Sequence, residues 1–254
     1  MKMAVIADVH GNLPALKAVF SELDLRNDVK HIYCLGDMIG IGPDSNEVLH
    51  LLFSREDVSM ITGNHDEAVL ALAKGEEYPK SHSSVRRHHQ WILDRLDKSF
   101  IPYLENLPRR IIQNIEGHSV LFCHYQFKKD HKDQPISKDP LSSNVSPSKD
   151  NLEKLFRNHN EKLICFGHHH PTHFFTGKKA TYLNPGSLGC NYKPTAPYAL
   201  INFSKKKFEI TLQETVYDNL DFLNSYYHIS WKSNVNDVWN IRAIFSQKRM
   251  CGRE

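Results

Sequence analysis

The sequence predicts a layered α/β fold on two observations. Short β-branched or aromatic-rich runs recur through the first two-thirds of the chain, each ending abruptly in a polar cluster that contains glycine or histidine. Between the early runs lie stretches with the apolar spacing of amphipathic helices, and alternation of the two is the pattern of an α/β protein.

Five such runs are read as strands: Met3–Ala7 before Asp8, His31–Leu35 before Gly36-Asp37, Val58–Thr62 before Gly63, Ser119–Cys123 before His124, and Leu163–Phe166 before Gly167. Their length and composition suit buried strands better than helices. The first helix runs from Pro14 to Leu25, with Leu16, Val19, Phe20 and Leu23 on one face, Pro14 in its first turn and Asn12 as a cap. Asn46–Phe53, His65–Ala73 and Arg86–Leu96 read the same way. Gln126–Lys149 breaks the pattern, being rich in Lys, Asp, Ser and Pro without an apolar period, and is expected to be a long loop or small cap, over the site or simply solvated. Asn151–Asn158 returns to a helical pattern. In the last third Ala180–Leu183, Tyr198–Phe203 and Phe208–Gln213 are read as strands, with Ser204–Lys207 a hairpin turn, and helices are expected near Asp218–Tyr227 and Asp237–Phe245. One domain over residues 1–254 is expected, with an insertion at about 126–149 and a helical extension at about 214–254.

Composition narrows the function classes. The chain of 254 residues is 24% charged and 40% hydrophobic with a formal charge of +3, which are ordinary globular values. Lys205-Lys206-Lys207 is the only run of three lysines and is read as a solvated turn, so no nucleic-acid surface is expected. The first apolar stretch, Ala4–Ala7, is too short for a secretory signal, and no run of about 18 apolar residues occurs, so a cytoplasmic protein with no membrane partner is expected. Five cysteines without CxxC spacing argue against a disulfide framework, and Cys34, Cys123 and Cys165 sit in apolar runs as small core residues.

The polar clusters carry the chemistry. Ligands of open α/β sheets bind beyond the carboxyl ends of the strands, where these clusters fall. Asp8-Val9-His10 offers a carboxylate and an imidazole two residues apart, on one face of an extended chain. Gly36-Asp37, followed by Gly40 and Gly42, offers a carboxylate with two oxygens to bridge two cations. Gly63-Asn64-His65-Asp66 offers an amide oxygen and an imidazole, or a helix cap. His124 stands alone, and Gly167-His168-His169-His170 sets two imidazoles at alternate positions, His168 and His170, on one face of an extended chain. Each cluster by itself reads equally as a turn, a cap or a stray histidine, but five successive strand ends with suitable donors point to one site. Mixed nitrogen and oxygen donors without thiolates suit Mn²⁺, Fe²⁺ or Zn²⁺.

In this order, DxH, GD, GNHD, an isolated His and GHxH resemble the signature of calcineurin-like metallophosphoesterases. Asp8-Val9-His10-Gly11-Asn12, Gly40-Ile41-Gly42-Pro43-Asp44 and Asn184-Pro185-Gly186-Ser187-Leu188-Gly189 resemble a bacterial phosphodiesterase or diadenosine-tetraphosphatase-like branch, over roughly residues 1–125 and 160–213. The resemblance implies a four-layer α/β/β/α sandwich of two mixed sheets flanked by helices. It implies two divalent metal ions, Mn²⁺ foremost with Fe, Zn or Ni as alternatives, one held by Asp8, His10, Asp37 and His170, the other by Asp37, Asn64, His124 and His168. His65 would be the catalytic residue facing the substrate, and His169 would point away. Asn12 is expected either to cap the first helix or to touch a substrate phosphoryl oxygen.

Two cations about 3.5–4 Å apart can clamp a phosphate and activate a water for in-line attack, with no protein nucleophile. The expected reaction is hydrolysis of a small phosphodiester or nucleotide phosphoanhydride. The alternatives are a phosphomonoesterase and a non-catalytic binding scaffold on the same fold, as in a retromer subunit. Protein Ser/Thr phosphatases carry Asp-Arg-Gly where this chain has Gly40-Ile41-Gly42, and relatives in the branch have His-Gly-Ser-Pro where it has His124-Tyr125-Gln126-Phe127. What orients His65 is left open by these departures. His82, His88, His89, His118, His131, His159 and His173 fall outside the motifs and are expected at the surface, with His88-His89 the pair that could line the cleft.

Overall fold

The computed structural model describes residues 1–191, 193–220 and 222–224. Ten strands and six α-helices follow in the order β1 (Lys2–Ile6), α1 (Leu13–Asp24), β2 (Val29–Cys34), α2 (Ser45–Phe53), β3 (Val58–Met60), α3 (Asn64–Lys74), α4 (Arg86–Arg95), α5 (Ile101–Glu105), β4 (Arg110–Ile115), β5 (His118–Cys123), α6 (Lys149–Leu155), β6 (Leu163–Phe166), β7 (His173–Thr176), β8 (Thr181–Asn184), β9 (Thr195–Phe203) and β10 (Phe208–Val216). Two five-stranded sheets result, ordered β10-β9-β1-β2-β3 and β4-β5-β6-β8-β7. In the first, β1, β2 and β3 are parallel, β9 is antiparallel to β1, and β10 pairs antiparallel with β9 and so runs with β1; in the second, β5, β6 and β8 are parallel while β4 and β7 are antiparallel to them.

The two sheets lie face to face because their strands are apolar on both sides. Along β1 the alternation of side chains sends Met3 and Val5 one way and Ala4 and Ile6 the other. Met3 and Val5 join Phe122, Leu163, Cys165 and Leu183 in the layer between the sheets, where the Tyr33 and Phe122 rings stack with centroids 3.7 Å apart. Ala4 and Ile6 instead meet Leu16, Val19, Leu49, Val69 and Ile92 from the helices that cover the first sheet. A third cluster, with Leu121, Phe166 and Tyr182 against Leu152 and Phe156, lets α6 cover the second sheet. Helix, sheet, sheet and helix make the four layers that the resemblance implies.

The strands and helices expected before residue 100 and at β5, β6, β8, β9 and β10 are present, with ends displaced by a few residues. The structure adds β4, β7 and α5, and extends the final strand to Val216, so residues 214–216 are strand rather than helix. Leu220 and residues 222–224 are helical, while the expected helix Asp237–Phe245 and the end of Asp218–Tyr227 lie outside the described residues. Cys34, Cys123, Cys165 and Cys190 are buried free thiols. Among the described residues no helix is long and apolar enough to cross a membrane.

Gln126–Lys149 forms an ordered loop, with a bridge between Phe127 and Leu141 and a 3₁₀ turn at Ile136–Lys138. It is fastened at Arg109, whose guanidinium grips the Glu67 carboxylate and donates to Lys132 O (2.9 Å) and Gln134 O (2.6 Å).

Candidate metal centre

The polar clusters meet at the carboxyl ends of the central strands of both sheets. Two groups of ligand atoms form there: Asp8, His10 and His170, and Asp37, His124 and His168, the atoms in each lying within 4.8 Å of one another. Asp8, His10, Asp37, Asn64 and His124 are buried, while His168 and His170 are half-buried.

Backbone conformation aims these side chains. Asp8, His10, Asp37 and His168 all have positive φ, between 51° and 64°. For residues with a β-carbon that region costs of order 1–3 kcal/mol each unless the surroundings enforce it. The enforcement is visible: His10 N–H donates to Asp37 O (2.9 Å), Gly11 N–H to Met38 O (2.8 Å), and His168 N–H to the Asp8 carboxylate (3.0 and 3.1 Å). Asp8 and His10 therefore converge through a left-handed turn and not, as the extended-chain reading had it, through the pleat of a strand. The same correction applies to His168 and His170, which part to different groups instead of sharing a face.

Asp37 lies between the groups. Its Oδ2 is 3.9 Å from His10 Nε2 and 3.3 Å from His124 Nε2, while Oδ1 is occupied by the His65 N–H at 2.8 Å. Only glycine fits beside it, because a Cβ on Gly63 would lie 2.1 Å from Asp37 Oδ1. Asn64 Oδ1 sits 2.8 Å from His124 Nε2 and 2.7 Å from His168 Nδ1.

This donor set fits divalent cations. His124 donates its Nδ1–H to Leu35 O (2.7 Å), so the neutral ring turns a lone pair toward Asn64 Oδ1 and Asp37 Oδ2, leaving three acceptors that face one another without a proton to share. In the protein alone a proton is favoured there: burial works against it, but the Asp37 carboxylate, Asp8 and the bond to Leu35 O together raise His124 to about 10. Burial lifts Asp8 to about 8 although His124 opposes this, whereas Asp37, despite burial, is held well below the usual carboxylate range by His124 and His65. A cation in each group would relieve the cost of burying both carboxylates. His10 and His170 present Nε2 atoms 3.2 Å apart beside Asp8, as two imidazole ligands of one ion would.

The Gly63-Asn64-His65-Asp66 cluster divides its labour. Asp66 is the cap, its carboxylate accepting from Gly63 N (2.9 Å) and Ile39 N (3.1 Å), which frees Asn64 and His65 to face the centre. The His65 and His10 ring centroids are 5.2 Å apart. Gly40, at φ +108°, abuts the His65 ring, where a Cβ would come within 2.5 Å of His65 Cβ.

For Asn12 the structure takes the capping alternative, and for the histidines outside the motifs it corrects the expected placement. Asn12 does not face the centre: its Oδ1 caps α1 by accepting from Ala15 N (3.1 Å), and its amide hydrogens go to Gly189 O (2.9 Å) and Tyr217 OH (3.0 Å), so nothing is left for a substrate. Three histidines expected at the surface are not there, and a fourth, His82, faces the centre. His88, His89 and His173 are buried, and half-buried His82 accepts a hydrogen bond from Asn64 Nδ2 (2.8 Å), which fixes the Asn64 oxygen toward the ligands. His82 in turn binds Ser81 Oγ (2.7 Å), and Ser81 binds Asp139 of the Gln126–Lys149 loop (2.5 Å). His169 belongs to neither group and lies near His173, with ring centroids 5.7 Å apart.

A cavity of about 930 Å³ opens elsewhere, between that loop and α6, and none of the candidate ligands lines it. The model of the calcineurin-like phosphoesterase superfamily domain matches residues 1–206. The chain belongs to that superfamily. It is a hydrolase acting on phosphoester bonds, from a metal-dependent family. An uncharacterized protein of Methanocaldococcus jannaschii is 28% identical over 231 residues, covering 85% of this chain and 88% of the relative. The symmetrical bis(5'-nucleosyl)-tetraphosphatase of Pectobacterium atrosepticum is 36% identical over 76 residues, which is 30% of this chain and only 27% of that enzyme. The crystal structure of a metallophosphoesterase from Sphaerobacter thermophilus superposes with a TM-score of 0.68 at 22% identity, covering 96% of this chain and all of the other.

Proposed function

We propose that this superfamily member hydrolyses a small phosphodiester or a nucleotide phosphoanhydride at a centre of two divalent cations, Mn²⁺ foremost. The observation that carries the reading is the pair of ligand groups with Asp37 Oδ2 between them and His65 beside them. Asp8, His10, Asp37 and His170 would hold one ion, and Asp37, Asn64, His124 and His168 the other. When bound, such a pair lowers the pKa of water and neutralises phosphate charge.

The protein's own residues supply position and hydrogen bonds. Asp37 keeps one oxygen for the cations and uses the other to anchor the His65 backbone. His65, at the mouth of the centre, would donate from Nε2 to a phosphoryl or leaving oxygen once its ring is protonated to the imidazolium. Most of the ligands are buried, so an exposed phosphorus can approach only from the side of His65, His168 and His170. A nucleotide substrate is supported by the local identity to a bis(5'-nucleosyl)-tetraphosphatase.

Purified protein loaded with Mn²⁺ should turn over bis-p-nitrophenyl phosphate faster than p-nitrophenyl phosphate, and should cleave a dinucleoside polyphosphate. Bound metal with no turnover of any of the three would refute the reading, and a reversed rate ratio would make the protein a phosphomonoesterase.

A further inference from the structure

We propose that His89, held by Tyr78, is the positioning residue of His65, fixing its Nδ1–H so that Nε2 is the ring nitrogen presented to the substrate. The inference rests on the reaction proposed above.

His65 Nδ1 lies 2.9 Å from His89 Nε2, and His89 Nδ1 lies 2.8 Å from the Tyr78 hydroxyl, which also reaches His82 O at 3.2 Å. Counting hydrogens gives the row a direction. Tyr78 has one hydroxyl hydrogen, and the His82 carbonyl can only accept. When that hydrogen goes to His82 O, the phenol oxygen is free to accept His89 Nδ1–H. His89 Nε2 then carries a lone pair, and His65 must supply Nδ1–H to it. Run the other way, the row leaves His82 O without this donor, so the first direction satisfies one bond more.

His89 is built to stay a neutral acceptor. It is fully buried, on the face of α4 that carries Ile92 and Leu93 into the core, and burial lowers its pKa to about 3. Tyr78 is clamped in turn, with the Arg86 guanidinium 5.3 Å from its ring centroid. A row that fixes the tautomer of a working imidazole through its far nitrogen is how such rings are generally oriented. Here a second imidazole and a phenol stand where a carboxylate would serve.

The test compares Mn²⁺-loaded variants on bis-p-nitrophenyl phosphate. His89→Ala should lower kcat about 10- to 100-fold, with KM within about twofold and metal content unchanged. His89→Gln, whose amide oxygen can accept from His65 Nδ1–H, should recover most of that loss, and Tyr78→Phe should cost less than His89→Ala. In a His65→Ala background His89→Ala should have no further effect, because it acts through His65. Long-range ¹H–¹⁵N spectra should find the neutral His65 protonated at Nδ1, and His89→Ala should mix the tautomers. A full additional loss in the His65→Ala background, or His65 found as the Nε2–H tautomer, overturns the inference. If no substrate is turned over, the reaction reading fails, and the tautomer spectra of the wild type, His89→Gln and Tyr78→Phe still decide the role of His89.

Discussion

The candidate ligands and the groups behind His65 stand a few ångströms apart and are held in opposite ways. Asp8, His10, Asp37 and His168 leave the chain at left-handed turns just past strands, fixed by backbone hydrogen bonds between neighbouring turns and, at His168, by its N–H on the Asp8 carboxylate. His82 and His89 come from the helical layer and reach the centre through their side chains, with Tyr78, in the segment between α3 and α4, behind them. A substitution at the strand ends should therefore disturb the metal centre as a whole, and one in the helical layer should tune a single partner. Backbone turns make a site that is all or nothing; side-chain rows make one that is adjustable.

The largest expected effect is at the shared ligand. Asp37→Asn should lower turnover about a thousandfold or more and reduce bound Mn²⁺ measured by elemental analysis, since the amide loses the charge that both groups share. Retention of two ions would break the claim that Asp37 joins the groups. Next is Gly63→Ala, which touches no ligand atom by chemistry, only by space. Its Cβ would meet Asp37 Oδ1 at 2.1 Å, so the backbone has to shift, at a cost of about 3 kcal/mol in urea unfolding together with lost metal binding. An unperturbed Gly63→Ala protein would mean that the turns are more compliant than they look.

His82→Ala sharpens the contrast from the other side. It leaves every ligand in place and removes the acceptor that fixes the Asn64 amide, together with the ring's bond to Ser81. Mn²⁺ affinity should fall about tenfold at one of two ions, read as a change in one of two calorimetric binding steps, with the melting temperature little altered. Loss of both steps would place His82 with the strand-end residues.

The same division explains what is legible in the sequence. Glycine, aspartate and histidine directly after an apolar run announce a strand end, and five of them in order announce a site. The geometry there is less legible: extended-chain logic put His168 and His170 on one face, and only the left-handed φ of His168 separates them. His82, His89 and Tyr78 follow no motif, because their partners lie 4 to 24 positions away along the chain. One signal was present: His88 and His89 precede Ile92 and Leu93 by four residues, so they share the buried stripe of α4, where a surface histidine has no place. β4 and β7 were missed for a related reason. Both are edge strands whose side chains are largely exposed, without the continuous apolar run that marks a central strand.

His88 offers the smallest effect and the cleanest measure of the helical layer. It is buried, stacked on Trp91, and donates Nε2–H to Ile41 O at 2.7 Å, in the loop that carries Gly40. Burial holds its pKa below the ordinary 6.5, although the bond to Ile41 works the other way. The unfolded chain then binds the proton more readily than the folded one between that lowered value and 6.5. Stability should rise with pH through this window, be complete above 6.5, and be lost on acidification, by at most about 2 kcal/mol at pH 5. His88→Gln keeps a donor for Ile41 O but cannot titrate. Urea unfolding of the metal-free protein at pH 7.5 and 5.5 should therefore show a smaller acid loss in the variant than in the wild type. Equal losses would assign the acid sensitivity to the other histidines whose pKa burial lowers, among them His10, His65, His168 and His170, and would remove His88 from the pH response.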